Sequence, residues 1–505
     1  MKKIYFLLIS VFITLSINAQ EWVLQSDVYG TYKEDALGWS IKSSYNGNTF
    51  ITGILDYTTE DVYKAGGAEI YNVDNGVITK VGNTIISGDA DYDKFGCDVA
   101  INDNGSIVAV SSILADSGSI QNTGAVKVYM FDSNNNIWKQ LGNTIYGDAE
   151  NDSCGWSISL DAAGKYLAVS SIMNDNNNLI NNGKVIIYTL NSTTNTWEQV
   201  GNTLVGIKSE DNFGSDVCFN YDGTILAVGV RRYDNGNSDA GAAETFNLIV
   251  DEDNNIEWKQ FGSILHGDEK SEHFGWALDL SNDGKILIVG STEYDGSGYN
   301  RGKATIYSFN ETTNDWELYG SPVIGEVDKD EFGISVSILS DGSKIAIGSR
   351  YNNEETGYVK IYEYGTNWVQ IASKITGQKA YDWFGNSVDF INNDKILIGS
   401  PKFDHNSYDE GSAQIYALST GTFIGDKTYN KSNVKVYPTI VLNNVNILTT
   451  ENIKNVQVYD ITGKNIKSFN KLDNNIINLS DVQPGIYVIR IQTTDSVITQ
   501  KIIKK

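Results

Sequence analysis

Short runs of apolar residues, punctuated by Gly, Asn and Asp, recur along this chain in a fixed order. "KFGCDVAINDNGSIVAVSS" from Lys94 is followed by "SCGWSISLDAAGKYLAVSS" from Ser153 and "NFGSDVCFNYDGTILAVGV" from Asn212. Aligned on its glycine, the unit occurs seven times: Gly38, Gly96, Gly155, Gly214, Gly275, Gly333 and Gly385, spaced 58, 59, 59, 61, 58 and 52 residues. A period this long signals a propeller or a solenoid.

Each unit holds four strand-like segments. The first follows the glycine, with an apolar residue three positions on, as at Val99, Ile158 and Val217. A hairpin signal such as "NDNG" or "NYDG" leads to the second, "IVAVSS" or "ILAVGV", which is apolar almost throughout and so expected to be buried on both faces. The third, such as "GAVKVYMF", carries a recurrent aromatic at Tyr71, Tyr129, Tyr188, Phe246, Tyr307, Tyr362 and Tyr416. The fourth carries Trp138, Trp197, Trp258, Trp316 and Trp368, with Ile78 at that place in the first unit. The pattern predicts an all-β fold, a seven-bladed β-propeller of four-stranded antiparallel blades. The seventh unit lacks a fourth strand, while "EWVLQSDVYG" near the N-terminus has Trp22 in the matching place. Residues 21–29 are therefore expected to complete the last blade and close the ring, which removes two exposed edges.

Composition narrows the function. With 38 Lys+Arg against 63 Asp+Glu, the net charge of −25 argues against a nucleic-acid partner. Residues 1–19, with Lys2, Lys3 and a 14-residue apolar run, read as a secretory signal peptide, and no later stretch is apolar enough to form a transmembrane segment. Cys97, Cys154 and Cys218 are an odd set at different positions of the repeat, and read as small apolar fillers rather than a bridge or a nucleophile.

Phe-Gly, a buried strand ending in "VGS", then "GxVxIY", resembles the FG-GAP repeats of integrin α-subunit propellers over roughly residues 21–418. The resemblance implies a propeller used for adhesion and ligand binding. The calcium loop that many such blades carry is absent, since "NDNGSIVAV" and "LSDGSKIAI" offer too few oxygens for a cation that takes 6–8 ligands. From Val434 the chain resembles a type A C-terminal sorting domain of the bacterial type IX secretion system. The matching residues are Tyr437-Pro438, "YDITGK" from Tyr459, "PGIYVIRI" from Pro484 and the basic end. That resemblance implies a Gram-negative organism of the Bacteroidetes type, the type IX machinery as a partner, and a protein secreted or anchored at the outer surface. The expected division is 1–19 signal peptide, 20–418 propeller, 419–433 linker and 434–505 sorting domain, the last a small all-β, sandwich-like unit.

The fourth-to-first connections and second-to-third loops must emerge on one face, and they are the longer and more varied ones. Three residues before each repeat glycine stands an acid: Asp35, Asp93, Asp152, Asp211, Glu272, Asp330 and Asp382. These are weak candidates for gathering cations, and equally read as carboxylates that accept N–H bonds and set their own loops. A second set, Asp116, Asp175, Asp234, Asp295 and Asp404, follows the second strand. The later second-to-third loops place aromatics beside cations: Arg232 and Tyr233, Tyr294, Tyr299 and Arg301, Arg350 and Tyr351, Lys402 and Phe403. They are candidate contacts for an extracellular protein or glycan ligand, or rim packing. His266, His273 and His405 lie in different blades, no catalytic constellation stands out, and no cofactor is expected. The expected function is a non-enzymatic surface binding or adhesion protein; the alternative is a secreted carbohydrate-active enzyme on the same scaffold.

Overall fold

A computed structural model describes residues 20–74, 76–419 and 435–505, the last apart from 438–439, 442, 450–451, 461–463, 470–471, 473–474 and 494–496. The expected signal peptide and nearly all of the expected linker lie outside the described residues. The chain divides into two units, 1–420 and 421–505.

The first unit is a seven-bladed propeller. The almost wholly apolar segments become the buried second strands, and Ile225–Val230 and Lys344–Ser349 are buried at every residue. Such a strand needs a partner on each edge, and both are local: Phe213–Phe219 before it and Ala242–Val250 after it, with Ile256–Gln260 outermost. Six blades repeat this order. Each also carries a two-residue strand, such as Leu265–His266, that pairs with the start of the third strand beyond a break in the fourth. The strand pattern of the sequence did not announce that addition.

Ring closure follows the expectation. Glu21–Tyr29 pairs antiparallel with Ser412–Ser419 across eight residue pairs, giving the seventh blade the order Glu21–Tyr29, Ser412–Ser419, Lys395–Ser400, Ser387–Asn392. Trp22 and Leu24 pack on the seventh blade's core.

Neighbouring blades lock through the repeat glycine. Gly275 has φ +88°, and a Cβ there would stand 2.1 Å from the carbonyl oxygen of Ala242. Its own carbonyl meets Gly229 of the preceding blade so closely that a Cβ on Gly229 would stand 2.1 Å away. Only glycine satisfies both demands. The residue before it, Phe95, Phe213, Phe274, Phe332 or Phe384, is fully buried between blades, and Leu37 and Cys154 take that place in the first and third. At the outer rim the tryptophan indoles bridge blades: Trp197 Nε1 donates to the carbonyl of Leu141 (2.8 Å) and Trp368 Nε1 to that of Tyr319 (2.7 Å). The three cysteines are unbridged; Cys154 and Cys218 are buried, and burial pushes the Cys154 thiol up to about 12.

The second unit is two sheets over one core. A three-stranded sheet (Lys435–Tyr437, Asn444–Leu448, Ile476–Asn478) accompanies a five-stranded one in which Gly485–Thr493 lies between Val497–Lys504 and Ile453–Asp460. Val445, Ile447, Val456, Val458, Ile489 and Ile491 are among its buried side chains.

Candidate functional site

The innermost strands surround the propeller axis. Their inner edges have no strand partner, so their N–H groups need acceptors. Side chains of the preceding blade supply them. Asp98 accepts from Ile158 N (2.8 Å), Asp216 from Leu278 N (2.7 Å), Asp279 from Ile338 N (2.8 Å) and Asp389 from Ser43 N (2.7 Å). Ser157, Ser159 and Ser337 hydroxyls do the same for Val217, Phe219 and Phe390. A cavity of about 380 Å³ lies among them and extends to the hairpin turns at Asn46, Asn282 and Asn393. Lys42 reaches Asp389 (3.1 Å) and Asp279 (3.9 Å). Burial works against the Lys42 charge, but these two carboxylates hold its pKa well above the ordinary value. Burial pushes Asp98 up to about 7, and Asp216, donated to by Leu278 N and the Ser157 hydroxyl, up to about 6. The axial carboxylates are thus engaged in joining blade to blade.

The other end of the axis, where the long loops emerge, differs. The residue directly after the repeat glycine is Trp39, Trp156 and Trp276 in the first, third and fifth blades, and Trp383 stands two residues before Gly385. All four are half-buried. The carbon at the centre of the Arg231 guanidinium lies 5.0 Å from the Trp156 ring centre and 5.1 Å from that of Trp276, the tryptophans of the two flanking blades. Burial, reinforced by Arg232, pulls the Arg231 pKa down to about 10. Further round, Arg350 lies over Tyr351 (4.8 Å) and Trp383 (5.1 Å), donates to Asn386 (3.2 Å) and pairs with Glu331 (3.6 Å). Lys402 Nζ sits 3.5 Å above the centre of Trp383, whose indole N–H donates to Glu355 (2.6 Å). Trp39 is 6.5 Å from Trp383. Between the two clusters, His273 Nδ1 faces Glu293 (3.3 Å). Burial lowers the His273 pKa against the pull of Glu293, and burial pushes Glu331 up to about 6 in spite of Arg350.

The structure distributes the sequence-nominated residues among three settings. Arg350, Tyr351 and Lys402 converge on Trp383 at the axial mouth. Tyr294, Tyr299 and Arg301 belong to one rim loop: Lys303 covers the Tyr294 ring (4.1 Å), Arg301 donates to Ser297 and to the Glu326 carbonyl, and Tyr299 is 55% exposed. Arg232 is exposed beside Arg231. Tyr233 (9% exposed) stacks on His266 and Phe403 (5%) on Tyr29, so these two rings are packed inside the loops.

The acids before the repeat glycines are all buried. Asp35 accepts from Thr31 N and Tyr32 N, Asp93 from Asp89 N and Ala90 N, Asp152 from Asp148 N and Ala149 N, and Asp211 from Lys208 N. Glu272, Asp330 and Asp382 receive corresponding pairs. Asp116, Asp175, Asp234, Asp295 and Asp404 each accept one N–H from their own second-to-third loop. Trp39, Trp156, Trp276, Trp383 and Arg231 are the mouth residues that reading the repeat passed over. The signal was present in the position after the glycine, where "LGWS", "CGWS" and "FGWA" differ from the other units.

Comparison with known proteins agrees with this architecture. Residues 435–505 match the secretion system C-terminal sorting domain, and residues 372–416 match the FG-GAP repeat. The sorting domain marks a protein of the type IX secretion route of Bacteroidetes, secreted or attached at the outer surface. No curated protein matches the chain significantly. Among solved structures, one from Bacteroides uniformis, provisionally named a 6-phosphogluconolactonase, aligns with 13% identity and a TM-score of 0.47 over 68% of this chain and 86% of that one. At that distance its chemistry does not transfer.

Proposed function

We propose that this type IX-exported propeller is a non-enzymatic binding protein of the cell exterior, and that it takes a glycan at the axial mouth of its long-loop face. One observation carries the reading: four tryptophans from separate repeats stand with cations on this face, Trp156 and Trp276 flanking Arg231, and Trp383, 6.5 Å from Trp39, beneath Arg350 and Lys402. Half-exposed indoles offer apolar faces to the C–H surfaces of sugars. Glu293, Glu331, Asn386 and the cations supply acceptors and donors for hydroxyl groups. Aromatic side chains with a few convergent polar groups are the usual lining of a small-ligand site.

The competing reading is an enzyme acting on the same polymer. In its favour, Glu331 has a raised pKa and neighbours Glu293 and Glu355, as an acid/base pair would require. A glycan array followed by a product assay on every glycan bound separates the two. Binding without product, abolished in a variant with Trp39→Ala and Trp276→Ala that still melts cooperatively, supports the binding protein. Released oligosaccharide establishes the enzyme, and unchanged binding by the double variant moves the site off the mouth.

A further inference from the structure

The cations of the mouth are not equivalent. Arg350 has Glu331 and Asn386, and Lys402 lies over the face of Trp383. Among the described residues the Arg231 guanidinium has no carboxylate within 4 Å and donates no hydrogen bond, and its Nε, like that of Arg350, is buried without a partner. In a chain of net charge −25 a half-buried arginine with no carboxylate partner among the described residues is unusual. Burying a cation without an anion is costly, and burial accordingly draws its proton affinity down. The two indoles offset part of that cost through their π faces. They also restrict access to the edge of the guanidinium, where its N–H groups form the planar fork that matches a carboxylate. Arg232, the next residue, adds a second positive charge and is exposed.

We infer that Arg231 is the receptor for a sugar carboxylate, so that the ligand is an acidic polysaccharide built of uronic acid residues. The inference rests on the mouth being the glycan site proposed above, and it specifies the ligand class. The surroundings select a uronate over a polyacidic peptide. Glu293, Glu331 and Glu355 line the same arc and would repel a run of carboxylates, yet they accept hydrogen bonds from hydroxyl groups. A uronate brings one carboxylate and several hydroxyls per unit, matching a cation held between two indoles and bordered by many acceptors. Because the background charge repels anions at long range, association should be slow and strengthened by salt, the reverse of a basic polyanion-binding surface.

The test uses one backbone with and without its charge. Polygalacturonate and its fully methyl-esterified form are titrated into the secreted full-length protein in a chelator that removes divalent cations. Polyglutamate and monomeric galacturonate are run beside them. The expected result is binding to polygalacturonate and not to the ester, and at least about thirtyfold weaker binding by Arg231→Gln, as removing one member of a buried charge pair commonly costs. Arg231→Gln should melt no lower than the parent, because it removes a half-buried cation that has no carboxylate partner among the described residues, and Arg231→Lys should recover binding only in part because it lacks the fork. Equal binding of the ester, or full binding by Arg231→Gln, overturns the inference while leaving the mouth as a glycan site if the tryptophan variant still fails to bind. Tighter binding of polyglutamate, or equal binding of the monomer, overturns it in favour of an acidic polypeptide or a free sugar acid. Absence of binding to every glycan removes the glycan site and this inference together.

Discussion

Single residues in this protein are divided between holding the ring and facing outward, and acids do most of the first task. Asp98 receives Ile158 N from the next blade and is pushed up to about 7 by burial. Its folded pKa therefore lies above its unfolded value. Both states are protonated below about pH 4; between there and about pH 7 the unfolded chain ionises while the folded one keeps its proton, so this contribution to stability is lost as pH rises. Asp216, Asp35, Asp211 and Asp382, each raised to about 6, act in the same direction. The melting temperature should rise when pH is lowered from about 8 to about 5, contrary to ordinary acid destabilisation. Asp98→Asn keeps an acceptor for Ile158 N but cannot ionise, so its melting temperature should depend less on pH. Equal slopes for variant and parent in melts across that range would refute the assignment to Asp98. At this scale sequence and structure part most clearly. The repeat disclosed that an acid precedes every glycine, but the four axial aspartates, on inner strands of different blades, have meaning only once the ring is closed.

Among elements, the strand Glu21–Tyr29 is the most consequential, because it is the furthest in sequence from its partner. It supplies eight residue pairs to Ser412–Ser419 and buries parts of Trp22, Leu24 and Val28. Removing it exposes the edge of Ser412–Ser419 and loses on the order of 3–6 kcal/mol of apolar burial from those three side chains. Urea unfolding of the 21–29 deletion should show a much lower midpoint or lose cooperativity; an unchanged midpoint is incompatible with a closing strand. The strand was legible from Trp22 because the outer tryptophan recurs in five other units. The added two-residue strands, such as Leu265–His266, were not, because two residues carry no alternation to read.

At the scale of the whole molecule, the sorting domain and the propeller do separate work. Residues 435–505 carry the export address, so deleting them should retain the propeller inside the cell envelope, measured by surface proteolysis and fractionation of the culture. The retained propeller should bind its ligand after release from cells, since every mouth residue lies before residue 420. Undiminished surface display of the truncated chain would contradict the role given to the tail.

The amino-acid sequence by itself determined the number of blades, the order of strands within each, the closing strand and the export address. Each of these is written in short-range periodicity or in a contiguous motif, and local hydrogen bonding and burial follow directly from such patterns. The mouth was decided only by tertiary structure. Trp156, Arg231 and Trp276 stand 75 and 45 residues apart in the chain, and nothing local requires them to meet. They come within about 5 Å because the ring turns a long linear period into adjacency around one axis. For the same reason Tyr233 and Phe403, which look like exposed anchors in the sequence, are buried: whether a loop aromatic faces solvent depends on the neighbouring loops against which it is laid.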